Sequence, residues 1–343
     1  MRIGIVAGDE PIFTNRDRML LMELSADARA SLTRLAKVAG CSVATAAKLV
    51  DRLVRTLDIR FTLEIDMDRL GFPERHILML KFKKKPGEEF LRDFFKGDTY
   101  AQDVYLTSGD FDLLVFAAAD TPINYIRWET DLAANLSDYE PELRPSEFVF
   151  PQLGFVPLSD GFVDFIREEI RADKKDRQIL RELNRNSRVG YRDLARLTGM
   201  NEDTIRYRIF KLVKRQIVRR FTIAVQNPGY GSLVAYFLRY RFSKNTTTDA
   251  FPQMRNRYMN EGAETPLINT YPMIAPISGS YRSFGMAFDR DRKQALYNAV
   301  KWHSILLKKE EIRERHALIT KPIKGLLPLR NLDPKQHYRL IWT

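Results

Sequence analysis

Basic side chains crowd one stretch of the second half of the chain, residues 199–221 (GMNEDTIRYRIFKLVKRQIVRRF). Within it, Arg206, Arg208 and Lys211 follow one another closely. Arginine can grip guanine edges bidentately or hold phosphates, and lysine pairs with phosphates. This spacing therefore predicts contact with a polyanion. The alternative is that these charges only solvate a helix face, as most charge runs on helices do.

A similar segment occurs about 160 residues earlier, at 40–61 (GCSVATAAKLVDRLVRTLDIRF), with three arginines against five in 199–221. A shift of 159 residues aligns 17–54 with 176–213, and roughly a third of the aligned positions are identical, which is the signature of an internal repeat. The sequence therefore predicts two copies of one unit.

Each copy begins with three short helical patterns. In the second copy Gly199 ends the second helix, where a left-handed residue is needed, and Asn201 caps the third helix as Ser42 does in the first copy. Ile205 and Ile209 recur on one face of that third helix and must point inward. This arrangement predicts a helix-turn-helix, whose last helix can lie in a major groove.

The two copies differ in what the third helix presents outward. In the second copy the outward positions include Tyr207 and Lys211, with arginines on the flanks and a basic turn behind that could form a wing. The first copy presents Ala44, Lys48 and Arg52, which predicts weak DNA contact or a protein contact. The predicted DNA contacts are Arg192, Thr204, Arg206, Tyr207, Arg208, Lys211, Lys214, Arg215, Arg219 and Arg220.

The net charge of +12 belongs to the second half of the chain. Residues 1–160 hold 20 Lys and Arg against 26 Asp and Glu, whereas residues 161–343 hold 36 against 18. This asymmetry favours a polyanionic partner, most often double-stranded DNA, although a merely soluble basic surface is the alternative. A single cysteine, Cys41, and four scattered histidines predict neither a disulfide framework nor a metal site. Without a long apolar run, we expect no membrane contact and a cytoplasmic, nucleoid-associated protein.

Strand-like and amphipathic segments follow each helical unit in the order β-α-β-β-α-β, the ferredoxin-like motif. The predicted fold class is α+β, with two copies of a winged helix-turn-helix and a ferredoxin-like domain fused as a pseudo-dimer. Strands are predicted at 76–82, 103–107, 112–119 and 234–242, and helices at 87–97, 123–136, 251–260 and 294–307, with a further helix within 154–175. The predicted domains are 1–65, 66–158, 159–225 and 226–343.

The pattern of residues 176–212, together with YLTSGDFDLL at 105–114, resembles the Lrp/AsnC (feast/famine) transcriptional regulators. The resemblance covers nearly the whole chain, twice. It implies DNA-binding regulation, assembly of the pseudo-dimeric chains into homo-oligomers, and an amino acid effector near a Gly-Asp loop. Carried over to this sequence, the effector loop comprises Thr107, Ser108, Gly109, Asp110 and Asp112. The alternative is a tight turn with polar residues.

The chain departs from the family pattern at two points. In the second half the corresponding loop contains Arg282 in place of the second carboxylate, which favours the first half as the effector site. Arg215-Gln216 also stands where the family usually has glycine.

Two other functions were weighed against regulation. Sirohaem decarboxylases share the tandem architecture but rely on histidines in the effector strands, and the equivalent segments here, DVYLTSGDFD and INTYPMIAPI, contain none. A protein-interaction adaptor in transcription is the other alternative, against which the basic second half argues. We therefore expect no enzyme activity, no catalytic residues and no cofactor.

Overall fold

A computed structural model describes residues 14–143, 147–149, 172–225, 232–239, 273–278, 281, 283–289, 313–324 and 327–328. The helices predicted at 251–260 and 294–307, and the junction up to residue 171, lie outside the described residues. Within the described residues, no helix combines the length and the apolar character that crossing a membrane requires.

The first helical unit comprises three helices and a strand, α1 (Asn15–Ala26), α2 (Leu32–Ala39), α3 (Val43–Leu57) and β1 (Ile59–Ile65). Gly40 ends α2 at φ 60°, a left-handed conformation that costs little without a Cβ. Ser42 begins α3 because its side chain accepts the backbone N–H of Thr45. The predicted turn and cap are both confirmed.

A ferredoxin-like domain follows, with β2 (Glu74–Phe82), α4 (Glu88–Lys96), β3 (Ala101–Gly109), β4 (Leu113–Ala119), α5 (Pro122–Asn135), β5 (Pro141–Leu143) and β6 (Glu147–Val149). The strands lie in the order β5-β2-β4-β3. Alternate residues of β2 face opposite sides, so that Leu78 and Leu80 pack beneath the helices while Ile77 and Met79 join the core shared with the second half. The predicted β-α-β-β-α-β order is confirmed in this half.

The second helical unit repeats the first, with α6 (Lys174–Arg185), α7 (Tyr191–Thr198), α8 (Glu202–Lys214) and β7 (Val218–Val225). Gly199 ends α7 at φ 68°, and the Asn201 side chain accepts the N–H of Thr204, 2.7 Å away. Gln216, at the position where the resemblance would place glycine, adopts φ 59°. The turn before β7 therefore keeps the left-handed shape without the residue that suits it best.

The second ferredoxin-like domain contributes β8 (Ser232–Arg239), β9 (Met273–Ser278), β10 (Ser283–Asp289) and β11 (Arg313–Lys324). Its strands lie in the order β11-β8-β10-β9, which repeats the lateral order of the first half. β8 begins two residues before the predicted strand 234–242, and its last described residue is Arg239. β12 (Leu327–Pro328) pairs antiparallel with β7 of the second helical unit.

The two sheets are joined by reciprocal strand exchange. β11 pairs with β3 of the first half, while β6 pairs with β9 of the second half as well as with β2. Between the sheets, the rings of Phe111 and Phe237 lie 5.7 Å apart and those of Phe116 and Phe284 lie 5.5 Å apart. The expected packing of the two sheets within one chain is confirmed.

The helical units are joined by equivalent contacts running in both directions. β1 and β7 pair antiparallel with Thr62 opposite Thr222. The N–H of Ala28 donates to the carbonyl of Phe221, and that of Ser187 to the carbonyl of Phe61, both at 3.0 Å. Arg29 lies over the Phe221 ring and Arg188 over the Phe61 ring. The corresponding residues of the two units, Arg29 with Arg188 and Phe61 with Phe221, are 159 or 160 residues apart in sequence. The two units are therefore related by an approximate two-fold axis that passes between Thr62 and Thr222.

Candidate nucleic-acid interface

The residues that α8 buries determine which of its residues face the solvent. Ile205, Ile209 and Leu212 are buried in the core that both halves share. On the opposite face, Tyr207 and Phe210 each keep 63% of their surface exposed. The predicted inward positions are confirmed, and the exposed face is free of the packing that holds the helix.

Arg206 lies at the edge of this exposed face. Its Nη2 donates to Glu202 Oε1 at 2.5 Å, and its guanidinium lies 4.3 Å from the centre of the Tyr191 ring. An exposed pair of this i,i+4 type contributes only a few tenths of a kcal/mol, so it can open at small cost. The guanidinium is therefore supported by an aromatic ring and remains available to a phosphate.

Arg208 is directed toward α6. Its Nη1 lies 2.8 Å from an oxygen of Asp173 and 2.8 Å from one of Asp176, and only 21% of its side chain is exposed. Burial lowers the pKa of Arg208, but the hydrogen bonds that it donates to Asp176 and Asp173 outweigh burial and raise it. Arg208 is thus a predicted DNA contact whose charge is paired with two carboxylates of its own unit.

Two lysines stand beside the exposed rings of α8. The Lys211 Nζ lies 5.9 Å from the centre of the Tyr207 ring, and the Lys214 Nζ lies at the same distance from that of Phe210. A surface groove of about 450 Å³ runs along this side of the helix. The residues that line it are Asp173, Asp203, Thr204, Tyr207, Arg208 and Lys211.

The remaining predicted contacts in this unit are spread around α8. Arg192, on α7, is exposed, while Thr204 and Arg215 are half-buried at the two ends of α8. The carbonyl of Arg215 accepts a hydrogen bond from Arg69 of the first half. The backbone N–H of Thr204 is used by the Asn201 cap, which leaves its hydroxyl as the group that could meet a phosphate.

The predicted basic wing is turned inward. Arg219 Nη2 lies 2.8 Å from Asp66, and Arg220 Nε lies 2.6 Å from Glu64, across the β1–β7 pairing. Their side chains are only 16% and 11% exposed. Both predicted DNA contacts therefore form ion pairs across the junction between the two helical units.

The corresponding face of the first unit carries different residues. Ala44 and Lys48 are exposed on α3, and Arg52 pairs with Asp17, whose side chain is fully buried. Asp17 corresponds in sequence to Asp176 of the second unit. In both units a cationic side chain of the third helix thus pairs with a buried carboxylate of the first helix. The two cations, Arg52 and Arg208, occupy positions in their helices that differ by about one turn.

Comparison with known proteins identifies this second unit. The AsnC-type helix-turn-helix domain family matches residues 173–213, which include α6, α7 and nearly all of α8. The second helical unit is an AsnC-type helix-turn-helix domain.

Relatives of this chain include regulators from Pyrococcus. The HTH-type transcriptional regulator FL11 of Pyrococcus abyssi is 32% identical over 78 residues, which make up 22% of this chain and 51% of that protein. An uncharacterised HTH-type transcriptional regulator of Pyrococcus horikoshii is 27% identical over 129 residues, 37% of this chain and 73% of that protein. The chain thus spans about half the length of the first relative and about three quarters of the second.

Solved structures match this chain beyond the AsnC-type domain as well. The crystal structure of the siroheme decarboxylase NirDL aligns with a TM-score of 0.55 at 14% identity and covers 95% of this chain and 98% of that chain. At this identity the likeness concerns the fold alone. It agrees with two helical units and two ferredoxin-like domains in one chain.

The predicted effector loop lies where the sheets of the two halves meet. It is far from α8 in sequence. Ser108 pairs with Leu318 and Gly109 with Ala317 of β11. Thr107 is buried, and its hydroxyl donates to the carbonyl of Phe111 at 2.9 Å. Ser108 and Gly109 are exposed and Asp110 is half-buried.

Asp112 is the most constrained residue of this loop. Its carboxylate accepts the N–H of Phe82 at 3.1 Å and pairs with Lys81 at 3.2 Å and Lys85 at 2.8 Å. Burial raises the pKa of Asp112, but these hydrogen bonds outweigh burial and lower it. A ligand ammonium would have to compete with these two lysines for the Asp112 carboxylate.

Two residues beside the predicted contacts on α8, Phe210 and Asp173, were not among the residues predicted from the sequence. Phe210 is exposed beside Tyr207, and its spacing of three residues was a signal that a helical projection could have used. Asp173 caps α6 and lines the groove, where it contacts Arg208, which lies 35 residues away in sequence.

Within the part of the chain described by the structure, no group of three or more His, Cys, Asp or Glu residues could hold a metal ion.

Proposed function

We propose that this protein is a transcriptional regulator that binds double-stranded DNA in a sequence-specific manner through its AsnC-type domain. The single observation that carries the proposal is the outward face of α8, where Arg206, Lys211 and Lys214 flank the exposed rings of Tyr207 and Phe210 on a helix whose inner face is buried. The net charge of the second half supports it. The archaeal relatives described as HTH-type transcriptional regulators support it further.

The DNA contacts in this proposal are fewer than the sequence predicts. Arg206, Tyr207, Lys211 and Lys214 form the central set, with Arg192, Thr204 and Arg215 at its margins. Arg208 acts as a positioning residue, because its ion pairs with Asp173 and Asp176 fix α8 against α6. The first helical unit acts as a scaffold or a protein contact, since Arg52 is tied to Asp17 and Ala44 carries no charge.

An amino acid effector acting at residues 107–112 is a second part of the proposal. Its support is the position of the loop, where Ser108 and Gly109 join strands of both halves, so that a ligand there could alter their relative placement. Thermal unfolding with each of the 20 amino acids tests it. A rise in melting temperature that Asp110→Asn abolishes is the expected result, and no rise with any amino acid would remove this part.

The whole-chain fold likeness favours one further candidate, an enzyme acting on a tetrapyrrole. His76 lies on β2 in contact with the Tyr125 ring at 3.7 Å, and burial lowers its pKa despite the hydrogen bond to Glu74. His316 lies on β11. A shift in the absorption spectrum of added iron uroporphyrin, lost in His76→Ala, would favour this candidate over regulation.

Matched charge removal tests the regulatory proposal. The double change Arg206→Gln/Lys214→Gln removes two exposed cations from α8, and Lys48→Gln/Arg55→Gln removes two exposed cations from α3. Binding to a 30-base-pair duplex is measured by fluorescence anisotropy over a salt series. Loss of two phosphate contacts should flatten the slope of log affinity against log salt by about two units, since each contact contributes about 0.9.

The two variants carry the same change in net charge, so a purely global electrostatic effect would weaken both equally. We expect the α8 variant to lose at least about tenfold in affinity near 0.1 M salt and the α3 variant to change much less. Equal losses would contradict the division between the units. No loss in either variant would contradict DNA binding by α8.

A further inference from the structure

Two aromatic side chains on the exposed face of α8 have no structural role within the described residues. Tyr207 and Phe210 each keep 63% of their surface exposed, and neither belongs to either hydrophobic core. They are three residues apart on a helix and so lie on the same face. Such a pair of large exposed rings points to a contact outside the chain.

The first helical unit provides an internal comparison. The residues that correspond to Tyr207 and Phe210 on α3 are Lys48 and Asp51, both exposed. The aromatic pair is therefore specific to the second unit. The fold of the helical unit does not require it, because the first unit forms the same three helices with charged residues at both positions.

The surroundings of the rings indicate the chemistry of the partner. Lys211 and Lys214 stand beside Tyr207 and Phe210, each 5.9 Å from the ring centre, and Arg206 lies one residue away from Tyr207 on the same helix. Cations flanking apolar rings fit a polyanion that also presents apolar groups. In the major groove of DNA, the C5-methyl group of thymine is that apolar group.

We propose that Tyr207 and Phe210 contact thymine methyl groups in the major groove and so make the second unit select sites with thymine at the positions they face. This inference rests on the proposed function and adds to it the base chemistry that is read. The lysines hold the backbone phosphates, which position the helix, and the rings discriminate between bases.

The test compares thymine with uracil, which differ only by that methyl group. Duplexes that the wild-type protein enriches from a random-sequence pool are resynthesised with uracil in place of thymine in both strands, and both forms are titrated by anisotropy. Each methyl lost from an apolar contact should weaken binding about fourfold, as expected for one CH2-sized group. Two contacts should together give about a 15-fold difference.

Variants assign the effect to the rings. In Phe210→Ala and Tyr207→Ala the preference for thymine over uracil should shrink, and in the double variant it should vanish, with the salt slope unchanged because no charge is removed. The matched control Lys214→Gln should flatten the salt slope and keep the thymine preference. Circular dichroism checks that each variant retains its helices, which these exposed positions should allow.

The outcomes separate the two proposals. If the wild type shows neither enrichment nor salt-dependent binding, the proposed function fails and this inference fails with it. Salt-dependent, enriched binding with equal affinity for thymine and uracil duplexes would overturn the inference alone, as would a thymine preference that survives in the double variant. A change in the molar mass of the Phe210→Ala variant by light scattering, with unchanged DNA binding, would assign the rings to contact between chains and overturn it too.

Discussion

Arg208 shows at the scale of a single residue how position on a helix and role can differ. It lies on the same helix as the proposed DNA contacts, yet its guanidinium is turned to two carboxylates of α6. Asp176 is nearly buried, with 8% of its side chain exposed. A buried carboxylate without its cation is strongly destabilising, so the value of Arg208 lies in holding α8 in place.

Replacement of Arg208 by glutamine should therefore lower the free energy of unfolding by about 3 kcal/mol, since Asp176 loses its counter-ion. The matched change Arg206→Gln removes the same charge from an exposed pair and should cost no more than about 0.5 kcal/mol. Urea unfolding followed by circular dichroism measures both. Addition of Asp176→Asn to Arg208→Gln should recover part of the loss, and equal effects of the two arginine changes would contradict a positioning role.

At the scale of elements, the antiparallel pair β1–β7 brings charges of opposite sign together from the two halves. Glu64 and Asp66 come from the first unit and Arg220 and Arg219 from the second. Burial raises the pKa of Asp66, but the hydrogen bond and positive charge of Arg219 outweigh burial and lower it. Asp68 differs, because burial raises its pKa and the charge of Arg75 offsets only part of that rise.

These shifts give opposite contributions to the pH dependence of stability. Asp66, with a lowered pKa, adds stability above about pH 4, the ordinary range of the group, and this contribution is lost as the pH falls through the lowered value. Asp68, with a raised pKa, adds stability that is present at low pH and is lost as the pH rises through the raised value. Urea unfolding from pH 3 to pH 7 should show that Asp66→Asn weakens the loss of stability in acid and that Asp68→Asn strengthens it. The same change of slope in both variants would contradict the ion-pair assignment.

Local structure could be predicted from the sequence because its causes are local. Gly199 and Asn201 marked the turn and the cap of α8, and the spacing of Ile205 and Ile209 marked its buried face. Each signal depends on residues within about one helical turn. The order of strands and helices in the first ferredoxin-like domain followed from alternation in the same way.

The partners of charged residues could not be predicted, because they come from distant parts of the chain. Arg219 meets Asp66 from 153 residues away, and Arg208 meets Asp173 from 35 residues away. An outward arginine on a helix and one that bends back to a neighbouring helix have the same sequence pattern. The predicted set of DNA contacts therefore included Arg208, Arg219 and Arg220, which the structure pairs with carboxylates of this chain, and it omitted the exposed Phe210, which carries no charge.

At the scale of the whole molecule, one chain places two helical units about an approximate two-fold axis but gives them different surfaces. Equivalent contacts join the units across this axis: Arg29 of the first unit lies over Phe221 of the second, and Arg188 of the second lies over Phe61 of the first. The outward faces of α3 and α8 differ in charge and in aromatic content. We propose that a two-fold symmetric DNA site would therefore be read by two chains, each contributing one α8 about 34 Å from the other or a multiple of that distance.

The most direct measurement of the central claim is which third helix lies against DNA. Cys41, the single cysteine, is replaced by serine, and a new cysteine is introduced in separate variants at Asp203 on α8 or at Ala44, the equivalent position on α3. An iron-EDTA group attached to that cysteine cleaves DNA strands that lie close to it. We predict localised cleavage of a bound, enriched duplex from position 203 and none above background from position 44. Equal cleavage from both positions, or cleavage from position 44 alone, would contradict the account.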